Sequence, residues 1–143
     1  MPYRYLPDIA TADTAFEATG ATREEMFTAA ADALTNVMVE DLATIQPRQE
    51  LEIILENADL DLLLFDFLQE IIYYKDARRL LLRPSSLTIA DSDAILKLHT
   101  VVRGEEIDLD RHPMVVDVKA VTLHRFAVEL RDGTWRATVV LDI

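Results

Sequence analysis

Seven large apolar residues, Leu60, Leu63, Leu64, Phe67, Leu68, Ile71 and Ile72, recur at helical spacing behind Asp59. A stripe that wide cannot be left in water, so a helix here demands a broad apolar surface to cover it. Asp59 is a suitable cap for its start. The stripe's width predicts that this is the more deeply buried of two helices. The other begins at Thr22-Arg23-Glu24-Glu25, a capping box in which the hydroxyl and the carboxylate satisfy free amides of the first turn. Met26, Phe27, Ala30, Leu34, Val37 and Met38 follow at helical spacing and give a stripe that must lie on a sheet. The methionines read as core filler. Tyr73 and Tyr74 read as aromatics that close a core, with an interaction surface as the alternative.

Around these helices the chain alternates in the manner of strands. Residues 3–9 and 14–19 have strand-like composition, Gly20 ends the second run, and Ala10-Thr11-Ala12-Asp13 forms a hairpin connection between them. An Asp in such a connection ordinarily bonds its own backbone. Residues 48–55 alternate Leu51, Ile53 and Leu55 against polar neighbours, as a strand with one wet face does. Runs at 80–82 and 86–89 are separated by Pro84, which marks an edge or a bend. A turn at Asp91-Ser92-Asp93 leads to a strand over 94–103, and a polar connection over 104–113 leads to a strand over 115–124. Residues 126–130 and 135–141 are the last two strands, joined by the hairpin turn Asp132-Gly133. The pattern predicts an α+β fold in a single domain spanning 1–143, a mostly antiparallel β-sheet with two α-helices packed on one face.

The stretch 115–124 carries a lysine, Lys119, among β-branched residues. In a strand, Asp117, Lys119, Val121 and Leu123 would share one face. Lys119 then either pairs with Asp117 two residues away or faces a partner.

Composition narrows the chemistry. The chain has 143 residues, half of them hydrophobic and 28% charged, as a folded protein does. It has no cysteine, which excludes disulfides, thiolate metal sites and thiol nucleophiles. Its formal charge of −12 argues against tight binding of a phosphate backbone by this chain alone; a basic partner or a cation fits it, and so does plain solubility or a salt-adapted host, so charge does not decide the function. Three glycines, Gly20, Gly104 and Gly133, cannot build a P-loop or a dinucleotide fingerprint. His99, His112 and His124 have no zinc-site spacing and read as surface or loop residues. Ser85 and Ser86 lack the glycines of a nucleophile elbow. The opening residues lack the pattern of a signal peptide and no apolar run is long enough to span a membrane, so the expected location is the cytoplasm. Carboxylates remain, and oxygen ligands suit hard cations such as calcium, magnesium or manganese. Asp142 stands beside the terminal carboxylate of Ile143, where two such groups repel unless a cation or base lies between them.

Taken together, several segments resemble the archease family. They are Ala10-Thr11-Ala12-Asp13, Gly20 with the capping box and Met26-Phe27, the end of the first helix around Asn36, the apolar helix 60–76, the connection 104–112, Val118-Lys119-Ala120-Val121-Thr122-Leu123-His124, and the final Leu141-Asp142-Ile143. The resemblance implies an accessory protein, not an enzyme, that activates an RtcB-type RNA ligase in tRNA splicing and RNA repair by promoting the partner's metal- and GTP-dependent guanylylation and its multiple turnover. It also implies a divalent metal held by Asp13, Asp142 and Ile143, with Lys119 as a further functional residue. Two positions depart from the family pattern: Ala10 stands where His is frequent, and Leu123 where Tyr is common before His124. Two other readings stand beside this one. One is a metal-dependent hydrolase using the Asp pair with His124 as base; the other is a general chaperone or protein-interaction module.

Overall fold

The computed structural model describes residues 2–7 and 13–143. In chain order these form β1 (Tyr3–Tyr5), β2 (Thr14–Gly20), α1 (Arg23–Met38), β3 (Gln49–Asn57), α2 (Leu60–Arg78), β4 (Leu80–Ser92), β5 (Ile95–Glu106), β6 (Ala120–Arg131) and β7 (Thr134–Asp142). Every strand pairing is antiparallel, so the α+β class holds. The strands divide between two sheets instead of forming one: a four-stranded sheet ordered β1-β2-β7-β6 and a three-stranded sheet ordered β3-β5-β4. Part of the first expected strand, at 8–9, and most of the connection, at 10–12, lie outside the described residues.

The helices explain how two sheets share one core. In α1, ten of sixteen residues are buried, among them Ala29, Ala30, Ala31 and Ala33. A helix with methyl groups on several sides excludes neither sheet, and α1 touches β1, β2 and β7 of the larger sheet and β4 of the smaller. In α2 only seven of nineteen residues are buried, and Leu62 and Tyr73 face solvent. The deeper helix is therefore α1, the reverse of what stripe width predicts. Alanine adds little to a stripe, yet its small size is what lets layers close on both sides of a helix. The capping box forms as expected: the Glu25 amide donates to Thr22 Oγ1 at 3.1 Å, and Glu25 Oε2 accepts from the Ala21 amide at 2.8 Å. Asp59 occupies the N-cap position of α2, but its side chain makes no capping bond.

Phe16 of β2, Phe27 of α1 and Phe67 of α2 are fully buried, and the Phe27 and Phe67 rings stack with centroids 6.1 Å apart. Truncating one such ring to alanine typically costs about 3–5 kcal/mol. A smaller cluster, Ile53, Leu80, Leu82 and Val102, lies within the three-stranded sheet, and Tyr74 packs against it. Tyr74 thus closes a core while Tyr73 is 59% exposed.

The turns set the registers. Asp93 and Ala94 (φ 51° and 63°) join β4 to β5, and Asp132 and Gly133 (φ 52° and 77°) join β6 to β7. Two-residue turns of this hand match the twist of the strands they link. The runs expected at 80–82 and 86–89 form one strand, β4, at a sheet edge, with a register shift between Pro84 and Ser86 where the missing proline amide breaks the ladder. The expected strands 115–124 and 126–130 are likewise replaced by a single strand, β6, irregular between Thr122 and Ala127 with Arg125 in the left-handed region. Residues 115–119 lie outside it, in neither a strand nor a helix.

Candidate functional site

The four-stranded sheet gathers the residues singled out in the sequence at one of its ends. β7 is central, flanked by β2 and β6. The outermost pair of the β2–β7 ladder is Thr14 with Leu141, so Asp13 and Asp142 are the next residues outward on neighbouring strands. On the other side Ala120 pairs with Asp142, and the Lys119 amide donates to the Asp142 carbonyl at 2.8 Å. Asp13, more than a hundred residues of chain away from Lys119 and Asp142, thus joins them at the ends of three adjacent strands. Asp142 and Lys119 are exposed and Asp13 is half-buried. Ile143 follows directly, with its side chain against the main core.

The environment of Lys119 differs from the expected i, i+2 pair. Asp117 gives its carboxylate to Lys75 of α2 at 2.5 Å. The same Lys75 Nζ donates to the Val118 carbonyl at 2.8 Å and pairs with Asp76. Lys75 is 5% exposed. Burial lowers its pKa, the bonds to Asp117 and Asp76 raise it, and the net shift is upward, so the amine remains an ammonium. Among the described residues the Lys119 ammonium has no carboxylate partner, and it faces solvent at the tip.

The donor set at the tip suits a hard divalent cation: two carboxylates, with main-chain oxygen of Ile143 adjacent and no soft ligand. Among the described residues no group of three His, Cys, Asp or Glu side chains is placed to hold a metal ion. His124 stands four residues along β6 from the Ala120–Asp142 pair, on the exposed irregular segment. The hydrolase reading would need it beside the carboxylates. A groove of about 770 Å³ lies elsewhere, between the start of α1 and the irregular part of β4. Its carboxylates are already engaged, Glu24 with the Ile89 amide at 3.4 Å, Glu25 in the capping box and Asp32 with the Arg83 guanidinium at 2.9 Å.

A second ionic centre has no signal in the sequence. Glu105, at the end of β5, is 3% exposed, and its carboxylate accepts from the Gln46 amide (2.7 Å), Arg111 Nη2 (2.5 Å) and His112 Nε2 (3.0 Å), with Arg48 Nε at 3.1 Å. His112, expected on a surface or loop, lies in the loop between β5 and β6 but is buried at 2% exposure. Its Nδ1 accepts from the Asp108 amide at 2.8 Å, which fixes the proton on Nε2, facing Glu105. The cluster ties the segment after α1 to the connection between β5 and β6. It shapes the loop that leads to Lys119, and its Arg48 and Arg111 line a surface groove together with Arg79.

Comparison with known proteins places the chain in a family and matches its fold. The model of the archease protein family (MTH1598/TM1083) matches residues 3–143. Protein archease of Methanopyrus kandleri is 38% identical over 133 residues, covering 93% of this chain and 94% of that protein. Protein archease of Pyrococcus furiosus is 37% identical over 134 residues, with the same coverage of each. The solution structure of Methanobacterium thermoautotrophicum protein 1598 superposes with a TM-score of 0.86 at 31% identity and covers 99% of both chains. A Thermotoga maritima crystal structure, described as an archease and possible chaperone, shares the fold with a TM-score of 0.60 at 21% identity, over 96% of each chain. With matches of this extent in both sequence and fold, the chain belongs to the archease family.

Proposed function

We propose that this protein is a non-catalytic accessory factor of an RtcB-type RNA ligase, acting in the cytoplasm in tRNA splicing and RNA repair. The observation that carries this reading is the convergence of Asp13, Asp142 and Lys119 on one end of the four-stranded sheet, in a chain of the archease family. Asp13 and Asp142, with main-chain oxygen of Ile143, would hold a divalent cation, calcium, magnesium or manganese, which supplies positive charge next to phosphate groups. Lys119 offers a flexible point charge for a phosphate or a partner's carboxylate. The net charge of −12 would steer the protein towards a basic, RNA-binding enzyme and away from free RNA.

The test is guanylylation of the cognate ligase at limiting GTP and manganese, with wild-type protein and the variants Asp13→Ala, Asp142→Ala and Lys119→Ala. Wild type is expected to speed the reaction, and each folded variant to lose at least about tenfold of the acceleration, the effect of about 1.4 kcal/mol. A wild-type protein without effect on the ligase would overturn the reading. Substrate turnover by the protein alone would favour the hydrolase, and equal protection of unrelated clients the general chaperone.

A further inference from the structure

Residues 115–119 deliver Lys119 to the tip without belonging to a strand. Among the described residues their main-chain bonds to the rest of the protein are few. The Val115 amide donates to the Met38 carbonyl at 2.8 Å, the Lys119 amide to the Asp142 carbonyl at 2.8 Å, and the Val118 carbonyl accepts from Lys75 Nζ at 2.8 Å. Lys75 also grips the Asp117 carboxylate, so one side chain of α2 holds the two residues immediately before Lys119.

Lys75 is an expensive choice for that position. An ammonium 5% exposed loses most of its hydration, which only full hydrogen bonding offsets. Its three protons meet three acceptors: Asp117, Val118 and Asp76. The apolar stripe around it, Leu64, Leu68, Ile71 and Ile72, would accept a Met or Leu with less desolvation. What an apolar residue could not do is fix the path of 117–119. In some proteins a buried ionic group of this kind selects one arrangement from several.

We propose that Lys75 is a positioning residue for Lys119: by holding Asp117 and the Val118 carbonyl from α2, it sets where the Lys119 ammonium stands relative to Asp142 and Asp13. This deepens the reading of the tip as the activating site and rests on it.

Two measurements test it together. Amide hydrogen exchange is read in wild type, Lys75→Met, Lys75→Arg and Asp117→Asn. The Lys119 amide is expected to exchange about tenfold faster in Lys75→Met, while the amides of the β2–β7 ladder stay unchanged. Lys75→Arg, which keeps the charge and several donors, should restore most of the protection. Asp117 is mostly exposed, so Asp117→Asn leaves the core intact; it should raise Lys119 exchange in the same direction and reads the proposal even if Lys75→Met fails to fold.

Ligase guanylylation is then compared for Lys75→Met, Lys119→Ala and the double variant. A residue that acts through Lys119 adds nothing once Lys119 is gone, so the double variant should match Lys119→Ala; independent effects would multiply. Unchanged exchange at Lys119, faster exchange spread evenly over the sheet, or multiplied losses would each overturn the proposal. If wild type fails to stimulate the ligase, the function assigned to the tip falls, and the exchange experiment still decides whether Lys75 positions the segment.

Discussion

At the scale of single residues, Glu105 shows how a buried charge is kept. Burial alone would raise its pKa, but the hydrogen bond from Arg111 outweighs it together with the Gln46 amide and His112, and the carboxyl is held down at about 2. A folded-state pKa below the ordinary value of 4.5 means that the unfolded chain takes up the proton first. The stabilisation from Glu105 is therefore complete above about pH 4.5 and is lost as pH falls towards 2. In Glu105→Gln the acceptor charge is gone at every pH. Urea unfolding is expected to show a loss of about 2 kcal/mol at neutral pH, the cost of leaving charged donors without their acceptor, and a shallower fall in stability between pH 4.5 and 2. Equal pH slopes in the two proteins would sink this account. None of this was legible in the sequence. Glu105, Arg111 and His112 read there as parts of a polar connection, because spacing along a loop carries no information about which side chains turn inward. Lys75 was hidden for the opposite reason: a lysine on a mostly apolar helix reads as its wet face. Lys119 stands out as a lysine in a β-branched stretch and Asp142 as a neighbour of the terminal carboxylate, but only the family resemblance joins them to Asp13, and no local pattern predicts that the three meet.

At the scale of elements, the turns and caps were the most readable features, since they depend on a few neighbouring residues. The capping box of α1 and the Asp132-Gly133 turn are both in place. Boundaries in the second half were harder to read, because a strand that bends or bulges at Pro84 or Arg125 looks like two strands to a period-two pattern. Two glycines separate steric from conformational demand. A Cβ at Gly104 would stand 1.7 Å from the Leu81 carbonyl oxygen, in the backbone of the paired strand, so the β4–β5 ladder itself must shift. A Cβ at Gly133 meets nothing within 4 Å, and only its φ of 77° resists a side chain. Gly104→Ala is expected to cost about 3 kcal/mol by overpacking, and Gly133→Ala about 1 kcal/mol by left-handed strain. Urea midpoints should rank wild type above Gly133→Ala above Gly104→Ala; the reverse order of the two variants would show that the sheet yields more easily than the turn.

At the scale of the whole molecule, the two-sheet arrangement follows from where α1 sits, while the net charge follows from composition, and the two meet at the acidic tip. A chain at −12 repels itself, so any salt should raise its melting temperature by screening. A divalent cation bound at Asp13 and Asp142 would add stabilisation of a different kind, growing with the logarithm of its concentration to about 2.7 kcal/mol at a hundredfold excess over Kd. The two contributions separate cleanly. At matched ionic strength, manganese or calcium should raise the melting temperature of wild type above what sodium achieves. Asp142→Asn should lose that excess and keep the sodium response, because removing one of twelve net charges hardly alters screening. Asp110→Asn removes the same charge from an exposed loop and should keep both. If Asp142→Asn and Asp110→Asn respond alike to the divalent ion, the acidity of this protein acts as a diffuse field and the tip holds no cation of its own.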